Sequence, residues 1–538
     1  MTEKITSQML VSGLGESTRK EILARIEAVV GAEWVSDDPV FGASWGRDQF
    51  SRIDQPTFYP DFVVLPGTTL EVADLMKIAN EHGLEVCPAA AGAGSFSNLL
   101  MHKGGILIDT RRLDRILEID EEAMIAFAEA GVTHSRLQVE AKKRGLRCDV
   151  PGGPSSNTPA SNLSQTGEHF GGSRYGQAHP KILGVELVTP TGRIVRTGML
   201  AFPGSRGGTY GPDWDLSTLP NNSCGLAGVI TRYAFKLFPL GDVQKYRKHM
   251  AFGFFTDLGD ALHALSEIAV EDLAKTVCEA GPKYYAGLSP TSTLEDYWRV
   301  LDVMVVSGGY TTVLAVEMEG TTEQVAYQKA KVDEILERHN AGGHEFASLF
   351  DMMFNKPVMA AEVRSSFANL LDADVPEHWV HRVAELFDIS ENACRAFCVG
   401  GQMLMGPFTT IEKGIASKEI FMDMAEERGY PELDKGLWAS YGVGLRGSSG
   451  KLQELDIHFD RLDVDSLNAR DRFMPEFTNE LCKKKLLFTY PSMAAAATTL
   501  EYFLGDDGVA VWLGIRHLLD PNGVMHKHFA FDFSETEI

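Results

Sequence analysis

Residues 61–110 constrain the fold more than any other part of the chain. DFVVL at the start of this segment predicts a buried strand, and residues 67–83 predict a helix. The helix has apolar residues at i, i+3, i+4 and i+7, a capping box at Thr68 and Glu71, and a stop at Gly83. LEVCPA and GGILIDT predict two further strands, so the order is strand–helix–strand–loop–strand. This pattern indicates a protein of mixed helix and sheet.

The loop between the second and third strands, VCPAAAGAGSFSNLL, is rich in small residues. A dinucleotide-binding Rossmann loop has a GxGxxG pattern that opens a helix, but Ser97 stands where the third glycine would be. Only eight residues separate Ser95 from Gly104, which is too few for a crossover helix. The sequence therefore disfavours a nicotinamide-type site. It favours a loop whose backbone N–H groups, uncrowded at Gly92 and Gly94, bind a phosphate.

The rest of the chain predicts two domains. Residues 111–240 contain further strands and a helix, interrupted by a long polar loop at 151–176. A loop of this length inside a compact region usually binds something. Longer helices alternate with strand-like runs over 241–505, which predicts a second α+β domain. Residues 509–525 predict a short helix that ends at Asp-Pro-Asn-Gly.

Composition disfavours several classes of partner. The formal net charge of -24 disfavours nucleic acid and anionic membrane surfaces, because like charges repel. No apolar run approaches the roughly 20 residues that span a bilayer, and the N-terminus lacks the hydrophobic core of a secretory signal. Seven scattered cysteines without a CxxC pair predict neither a disulfide framework nor an iron–sulfur site. We expect a cytoplasmic protein.

Several weak motifs occur in one order: the PAAAGAGSFS loop, the polar loop, GVELVTPTGRIVRTG, NNSCGLAGVITRYAFKLFP and a late DPNG. Together they resemble the FAD-binding domain of the vanillyl alcohol oxidase/p-cresol methylhydroxylase (PCMH) superfamily, which also includes D-lactate dehydrogenase and glycolate oxidase flavoproteins. The resemblance implies an α+β fold. The implied fold has a two-subdomain PCMH-type FAD-binding domain over residues 1–240, completed by 506–538. An α+β cap domain with an antiparallel sheet covers 241–505.

The resemblance also implies FAD as the cofactor and assigns its binding residues. In one branch a histidine two residues after the loop's second glycine links the flavin covalently. Ser95–Ser97 stand at the corresponding positions here, so that linkage is absent, whereas attachment through a cap tyrosine or histidine stays open. The implied FAD-binding residues are Ala91, Gly92, Ala93, Gly94, Ser95 and Ser97 in the first loop, Pro151, Ser155, Asn162 and Gly167 in the polar loop, and Gly225, Gly228, Val229 and Ile230 near the last motif.

Candidate catalytic residues come mainly from the cap. In LQELDIHFD the period of a strand puts Glu454, Asp456 and His458 on one face, and the carboxylates favour a protonated imidazole. Tyr441 and Arg446 form a candidate oxyanion-binding pair. The remaining candidates are His169 and Tyr175 in the polar loop and Tyr490 in the cap. The histidine-rich cap motifs of the hydroxy-acid branch are not intact, so we assign no metal ligand, and whether a metal lies in the cap stays open.

The resemblance implies an FAD-dependent oxidase or dehydrogenase. Its substrate is expected to be a small hydroxylated or phenolic molecule, such as a benzylic alcohol or 4-alkylphenol, oxidised by hydride transfer to the flavin. A 2-hydroxy acid such as D-lactate or glycolate is the first alternative. A flavin-binding electron-transfer subunit of a larger complex is the second. The electron acceptor (oxygen, quinone, cytochrome or a partner protein) stays open, as does homo- or hetero-oligomerisation.

Overall fold

A computed structural model of the chain provides the structure. It describes residues 13–46, 59–90, 92, 99, 101, 104–149, 156–165, 169, 171–202, 204, 216–240, 246–281, 310, 312–342, 401–403, 408–427, 438–444, 450–459, 464–486 and 496–525. Across these ranges no helix is both long enough and apolar enough to cross a membrane.

The first layer is a four-stranded sheet whose order along the sheet is β1-β2-β4-β3. Strands β2, β4 and β3 are parallel, and β1 is antiparallel to β2. The predicted strand–helix–strand–loop–strand order is confirmed. The elements are α1 Glu16–Val30, β1 Val35–Ser36, α2 Pro39–Ala43, β2 Phe62–Val64, α3 Thr69–His82, β3 Val86–Ala89 and β4 Ile106–Asp109.

Helix α3 begins and ends where the sequence predicts. The Thr68 hydroxyl accepts the backbone N–H of Glu71 at 3.2 Å, and Gly83 ends the helix with a left-handed φ of 63°. The Glu71 carboxylate reaches back to the backbone N–H of Gly67 at 2.7 Å, one residue earlier than in a standard capping box. The apolar stripe of α3, with Val72, is buried against the first sheet.

The second layer is an antiparallel five-stranded sheet of order β5-β6-β10-β8-β9. Strands β7 and β11 form a separate two-stranded antiparallel sheet. The polar loop at 151–176, predicted to lack regular structure, contains two short helices. The elements are β5 Ile116–Asp120, β6 Ile125–Glu129, α4 His134–Lys142, β7 Leu146–Arg147, α5 Pro159–Ser164, α6 Gly172–Tyr175, β8 Ile182–Val188, β9 Ile194–Arg196, β10 Val229–Lys236 and β11 Phe238–Pro239.

The third layer, here called the large sheet, has seven antiparallel strands with the order β12-β14-β13-β17-β18-β15, and β16 also pairs with β18. One face packs on α7 and α8 through residues such as Val316 and Leu265. Its elements are β12 Tyr246–Phe255, α7 Leu258–Val270, β13 Thr276–Ala280, β14 Thr312–Thr321, α8 Thr322–Arg338, β15 Gly401–Met403, β16 Phe408–Thr410, α9 Ile411–Glu427, β17 Trp438–Gly444, β18 Gly450–Phe459 and α10 Val464–Lys483.

The last described segment returns to the first sheet. Helix α11 spans Ala496–Leu519, so the predicted start at residue 509 is wrong, although the stop before Asp520 is confirmed. A break at Gly505, with φ 61°, separates its two halves. Beyond the helix, Val524 and Met525 enter the core of the first sheet, and Met525 forms a parallel bridge with Val86 on β3.

Glu186 on β8 ties the first two layers together. Its carboxylate accepts a hydrogen bond from the Thr69 hydroxyl of α3 at 2.7 Å and another from Arg196 Nε at 2.7 Å. The Arg232 guanidinium lies 3.4 Å away. Burial alone raises the pKa of this carboxyl, but these hydrogen bonds and the Arg232 charge outweigh it and hold the pKa below its ordinary value. Glu186 is therefore ionised in the folded protein.

Replacing Glu186 with glutamine is expected to lower the free energy of unfolding near pH 7 by about 1–3 kcal/mol. Because the folded-state pKa is depressed, the carboxylate stabilises the fold above the unfolded-state pKa of about 4.3, and this stabilisation is lost as pH falls through the folded value. The gap between wild type and E186Q should shrink below about pH 4. Urea denaturation followed by circular dichroism measures it. Glu121→Gln, at an exposed carboxylate 3.6 Å from Arg144, is the control.

Candidate cofactor cavity and cap contact

An open cavity of about 700 Å³ lies where the first two layers meet. Three segments build most of its wall: the end of β3, helix α5, and the turn that leads into β10. The lining residues are Pro88, Ala89, Ala90, Gly92, Leu99, Thr110, Ala130, Asn157, Ala160, Ser161, Ser164, Gln165, Cys224, Gly225, Gly228, Val229 and Ile230.

None of these described lining residues carries a charged side chain. The wall offers hydroxyl and amide groups from α5 and peptide groups from the glycine turn. Gly225 adopts φ +87°, and a Cβ at this position would lie 2.7 Å from Pro88 Cγ across the cavity wall. Its N–H donates to Ser164 Oγ at 2.9 Å. Such a surface suits a ligand whose polar groups are met by hydroxyls and side-chain amides.

The structure brings together five of the residues predicted to bind FAD. Gly92, Gly225, Gly228, Val229 and Ile230 all line the cavity. The predicted residues Ala91, Ala93, Gly94, Ser95, Ser97, Pro151, Ser155 and Gly167 lie outside the described residues.

Helix α5 forms part of the wall, but the sequence did not predict this helix. Asn162 is the one residue of α5 that was predicted to bind FAD. Ser161 and Ser164 face the cavity. The signal was present at Thr158-Pro159, because the Thr158 hydroxyl accepts the N–H of Ser161 at 3.1 Å and proline is favoured in the first turn of a helix.

Asn162, on the opposite side of α5, contacts a buried polar cluster instead of the cavity. His169 Nδ1 lies 3.0 Å from Asp149 Oδ2, and His169 Nε2 lies 2.7 Å from the side-chain amide of Asn162. The Lys181 ammonium donates to the same Asp149 oxygen. All four side chains are buried, so the cluster braces α5 from behind.

His169 is neutral in this cluster. Burial and the Lys181 ammonium lower the pKa of the imidazole to about 4, although Asp149 opposes the shift. The Nδ1–H then donates to Asp149 and Nε2 is an acceptor, so the Asn162 amide, whose Oδ1 lies 2.7 Å from Nε2, has to be turned by 180° for its NH2 group to donate. The fully buried ring has both nitrogens engaged. A catalytic role for His169 stays a prediction.

Tyr175 lies at the contact between the first half of the chain and the large sheet. Its hydroxyl donates to Glu319 Oε1 at 3.0 Å and accepts from Arg147. Burial and the Glu319 charge raise the pKa of the phenol well above its ordinary value, which keeps it protonated. Its ring lies 4.0 Å from that of Phe238, centroid to centroid. The predicted catalytic role of Tyr175 also stays a prediction.

The strand register places two predicted cap residues on one face of the large sheet. Tyr441 on β17 stands opposite Glu454 on β18, and His458 stands opposite Gln402 on β15. Cross-strand partners and alternate residues of one strand share a face. The register through β13 to β14 puts Glu319 on that face too, away from α7 and α8. Arg446 and Tyr490 lie outside the described residues.

A family model described as an FAD binding domain matches residues 60–198. An uncharacterized FAD-linked oxidoreductase of Mycobacterium tuberculosis is 28% identical over 259 residues, which are 48% of this chain and 54% of that protein. The match thus spans about half of the relative's length. Glycolate oxidase subunit GlcD of Bacillus subtilis is 24% identical over 394 residues, 71% of this chain and 78% of that subunit.

Solved structures share the fold over nearly the whole chain. p-Cresol methylhydroxylase with substrate bound gives a TM-score of 0.73 at 18% identity, over 96% of this chain and 98% of that one. 4-Ethylphenol oxidase from Gulosibacter chungangensis, in complex with isoeugenol, gives 0.74 at 17% identity over 97% and 98%. Residues 60–198 thus match an FAD binding domain, and the chain shares the fold of these PCMH-type structures. The α+β fold predicted from the motifs is confirmed.

FAD is therefore the cofactor of this flavoprotein, and the cavity fits it. The cavity lies between segments of residues 60–198, which match the family model, and the glycine turn before β10. A Cβ on Gly225 would meet Pro88 of the cavity wall, and the Ser161 and Ser164 side chains line the cavity. Among the described residues, no group of three His, Cys, Asp or Glu side chains is arranged to hold a metal ion.

Gly225→Ala is expected to weaken FAD binding by about tenfold, or roughly 1.4 kcal/mol. The added Cβ meets Pro88 in the cavity wall and strains a backbone at φ +87°. Gly83→Ala is the matched control, because its φ of +63° carries the same kind of strain while its Cβ would point into open space at the end of α3. Fluorescence titration of the apoprotein with FAD measures both, and an equal loss in the two variants would contradict the assignment.

Proposed function

We propose that this flavoprotein oxidises a small hydroxylated or phenolic substrate, of the benzylic alcohol or 4-alkylphenol kind. Bound FAD supplies the ring that accepts the hydride. The chain's own residues orient the substrate, exclude water and take up the hydroxyl proton. The observation that carries the proposal is the single face of the large sheet on which Tyr441, Glu454, Asp456 and His458 all stand.

This face is turned toward the half of the chain that holds the cofactor cavity. Glu319 stands on it and contacts Arg147 and Tyr175 of that half. The opposite face is covered by α7 and α8. By register, the side of the large sheet that faces that half carries Tyr441, Glu454, Asp456 and His458. A carboxylate or imidazole serves as the proton acceptor, and Tyr441 serves as a hydrogen-bond donor to a phenolate or alkoxide oxygen.

Two comparisons favour different substrates. p-Cresol methylhydroxylase and 4-ethylphenol oxidase share the fold over almost the whole chain, which supports the phenolic substrate. Glycolate oxidase subunit GlcD shares sequence over 71% of the chain, which supports a 2-hydroxy acid as the second candidate. A carboxylate substrate would need a fixed cation on the substrate-facing side. Arg446, predicted to pair with Tyr441 at a phenolate oxygen, lies outside the described residues.

An anaerobic panel tests the proposal. Holoprotein is mixed with 4-alkylphenols, benzylic alcohols, D-lactate and glycolate, and the flavin absorbance band is followed. We expect bleaching by the aromatic compounds alone. Bleaching by D-lactate or glycolate would replace the substrate class with hydroxy acids, and no bleaching by any compound would leave an electron-transfer subunit as the function.

With a bleaching substrate in hand, His458→Gln is expected to slow flavin reduction by about 10²–10⁴-fold, the usual contribution of a general base or acid. The FAD content should stay unchanged, because β18 does not line the described cavity. His517→Gln is the control, since this histidine is exposed on α11. An unchanged reduction rate in H458Q would remove this residue from the mechanism.

A further inference from the structure

The buried Arg147 lies where the chain passes from the second sheet to the large sheet. Strand β11 is the last described element before the large sheet begins, and its Phe238 pairs with Arg147 on β7. Both guanidinium nitrogens of the Arg147 end group donate to the two carboxylate oxygens of Glu319 on β14, one of them at 2.5 Å. The Arg147 and Glu319 side chains are only 8% and 1% exposed. A bidentate ion pair thus lies at the passage from one half to the other.

Helix α6 makes the rest of this contact. The Tyr175 hydroxyl donates to Glu319 at 3.0 Å, and Arg174 Nε donates to Asp272 at 3.0 Å. The Ser173 hydroxyl accepts the backbone N–H of Val277 at 3.2 Å. The helix packs against β13 and β17, the second of which carries Tyr441. Three successive residues of α6 therefore hold the large sheet.

A buried ion pair of this kind tolerates little displacement. Fully separated charges regain their water, but a shift of about an ångström leaves both charges desolvated and without good geometry, which is strongly unfavourable. Bidentate arginine–carboxylate contacts add directional control. The ion pair therefore has one preferred distance and one preferred angle between β7, which carries Arg147, and β14 of the large sheet, which carries Glu319.

We propose that Glu319, Arg147 and Tyr175 are positioning residues. They fix the distance between the flavin and the substrate-facing side of the large sheet. They act through β17 and β18, and Tyr175 does not contact the substrate. This inference rests on the proposed function for its kinetic consequence. Its structural consequence, a fixed and solvent-shielded flavin, is independent of the substrate.

The test uses FAD-loaded Glu319→Gln, Tyr175→Phe and the double variant. Quenching of flavin fluorescence by iodide reports solvent access to the ring without any substrate. We expect a larger Stern–Volmer constant in each single variant and no further rise in the double variant, because both changes act through one contact. Glu323→Gln, an exposed carboxylate at the start of α8, should leave the constant unchanged.

Kinetics separates positioning from direct substrate contact. With a substrate from the anaerobic panel, both single variants should slow flavin reduction by about tenfold to 10²-fold, the effect of a misplacement near an ångström. The pH dependence of the rate should keep its wild-type shape. Slower reduction in Y175F with unchanged iodide access, or an altered pH profile, would overturn the proposal in favour of a catalytic tyrosine.

Two provisions keep the experiment decisive. If Glu319→Gln fails to fold, Arg147→Lys takes its place, since it keeps the charge but loses the bidentate geometry. If no compound in the panel reduces the flavin, the proposed function fails, whereas the iodide series still decides the positioning role. Unchanged quenching in every variant would overturn it.

Discussion

The cofactor cavity depends on a turn whose backbone approaches its neighbours more closely than a side chain would allow. A Cβ on Gly228 would lie 2.3 Å from the Val188 carbonyl oxygen, and one on Gly225 would lie 2.7 Å from Pro88. These two contacts bring the turn before β10 against β8 of its own sheet and against β3 of the first. The wall formed by this turn and α5 follows from them. Glycine is required here because both positions combine close approach with positive φ.

The described cavity wall carries no charged side chain, whereas buried charged pairs join the layers around it. Glu186 joins α3 to the second sheet, Asp149 and Lys181 brace α5, and Arg147 with Glu319 holds the large sheet. A neutral wall leaves hydroxyl and amide groups to meet a bound ligand. The buried pairs hold the elements that carry these groups.

Local sequence rules predicted much of the fold. The capping of α3 by Thr68, its end at Gly83 and the three strands around it follow from nearest-neighbour chemistry, and all are confirmed. The sequence did not predict helices α5 and α6. Their six and four residues are too short for a hydrophobic period, and tertiary contacts of Asn162 and Tyr175 hold them. The ion pair of Arg147 with Glu319 joins residues 172 positions apart, which no local pattern reports.

The bridge between Val86 and Met525 covers the start of an exposed sheet edge. Strand β3 is the edge strand of its sheet and passes directly into the cavity loop. The Val86 N–H donates to the Val524 carbonyl at 2.7 Å, so the returning chain covers an edge that would otherwise offer unpaired backbone groups to another copy. The segment after α11 thus occupies the start of the edge strand that leads to the cavity.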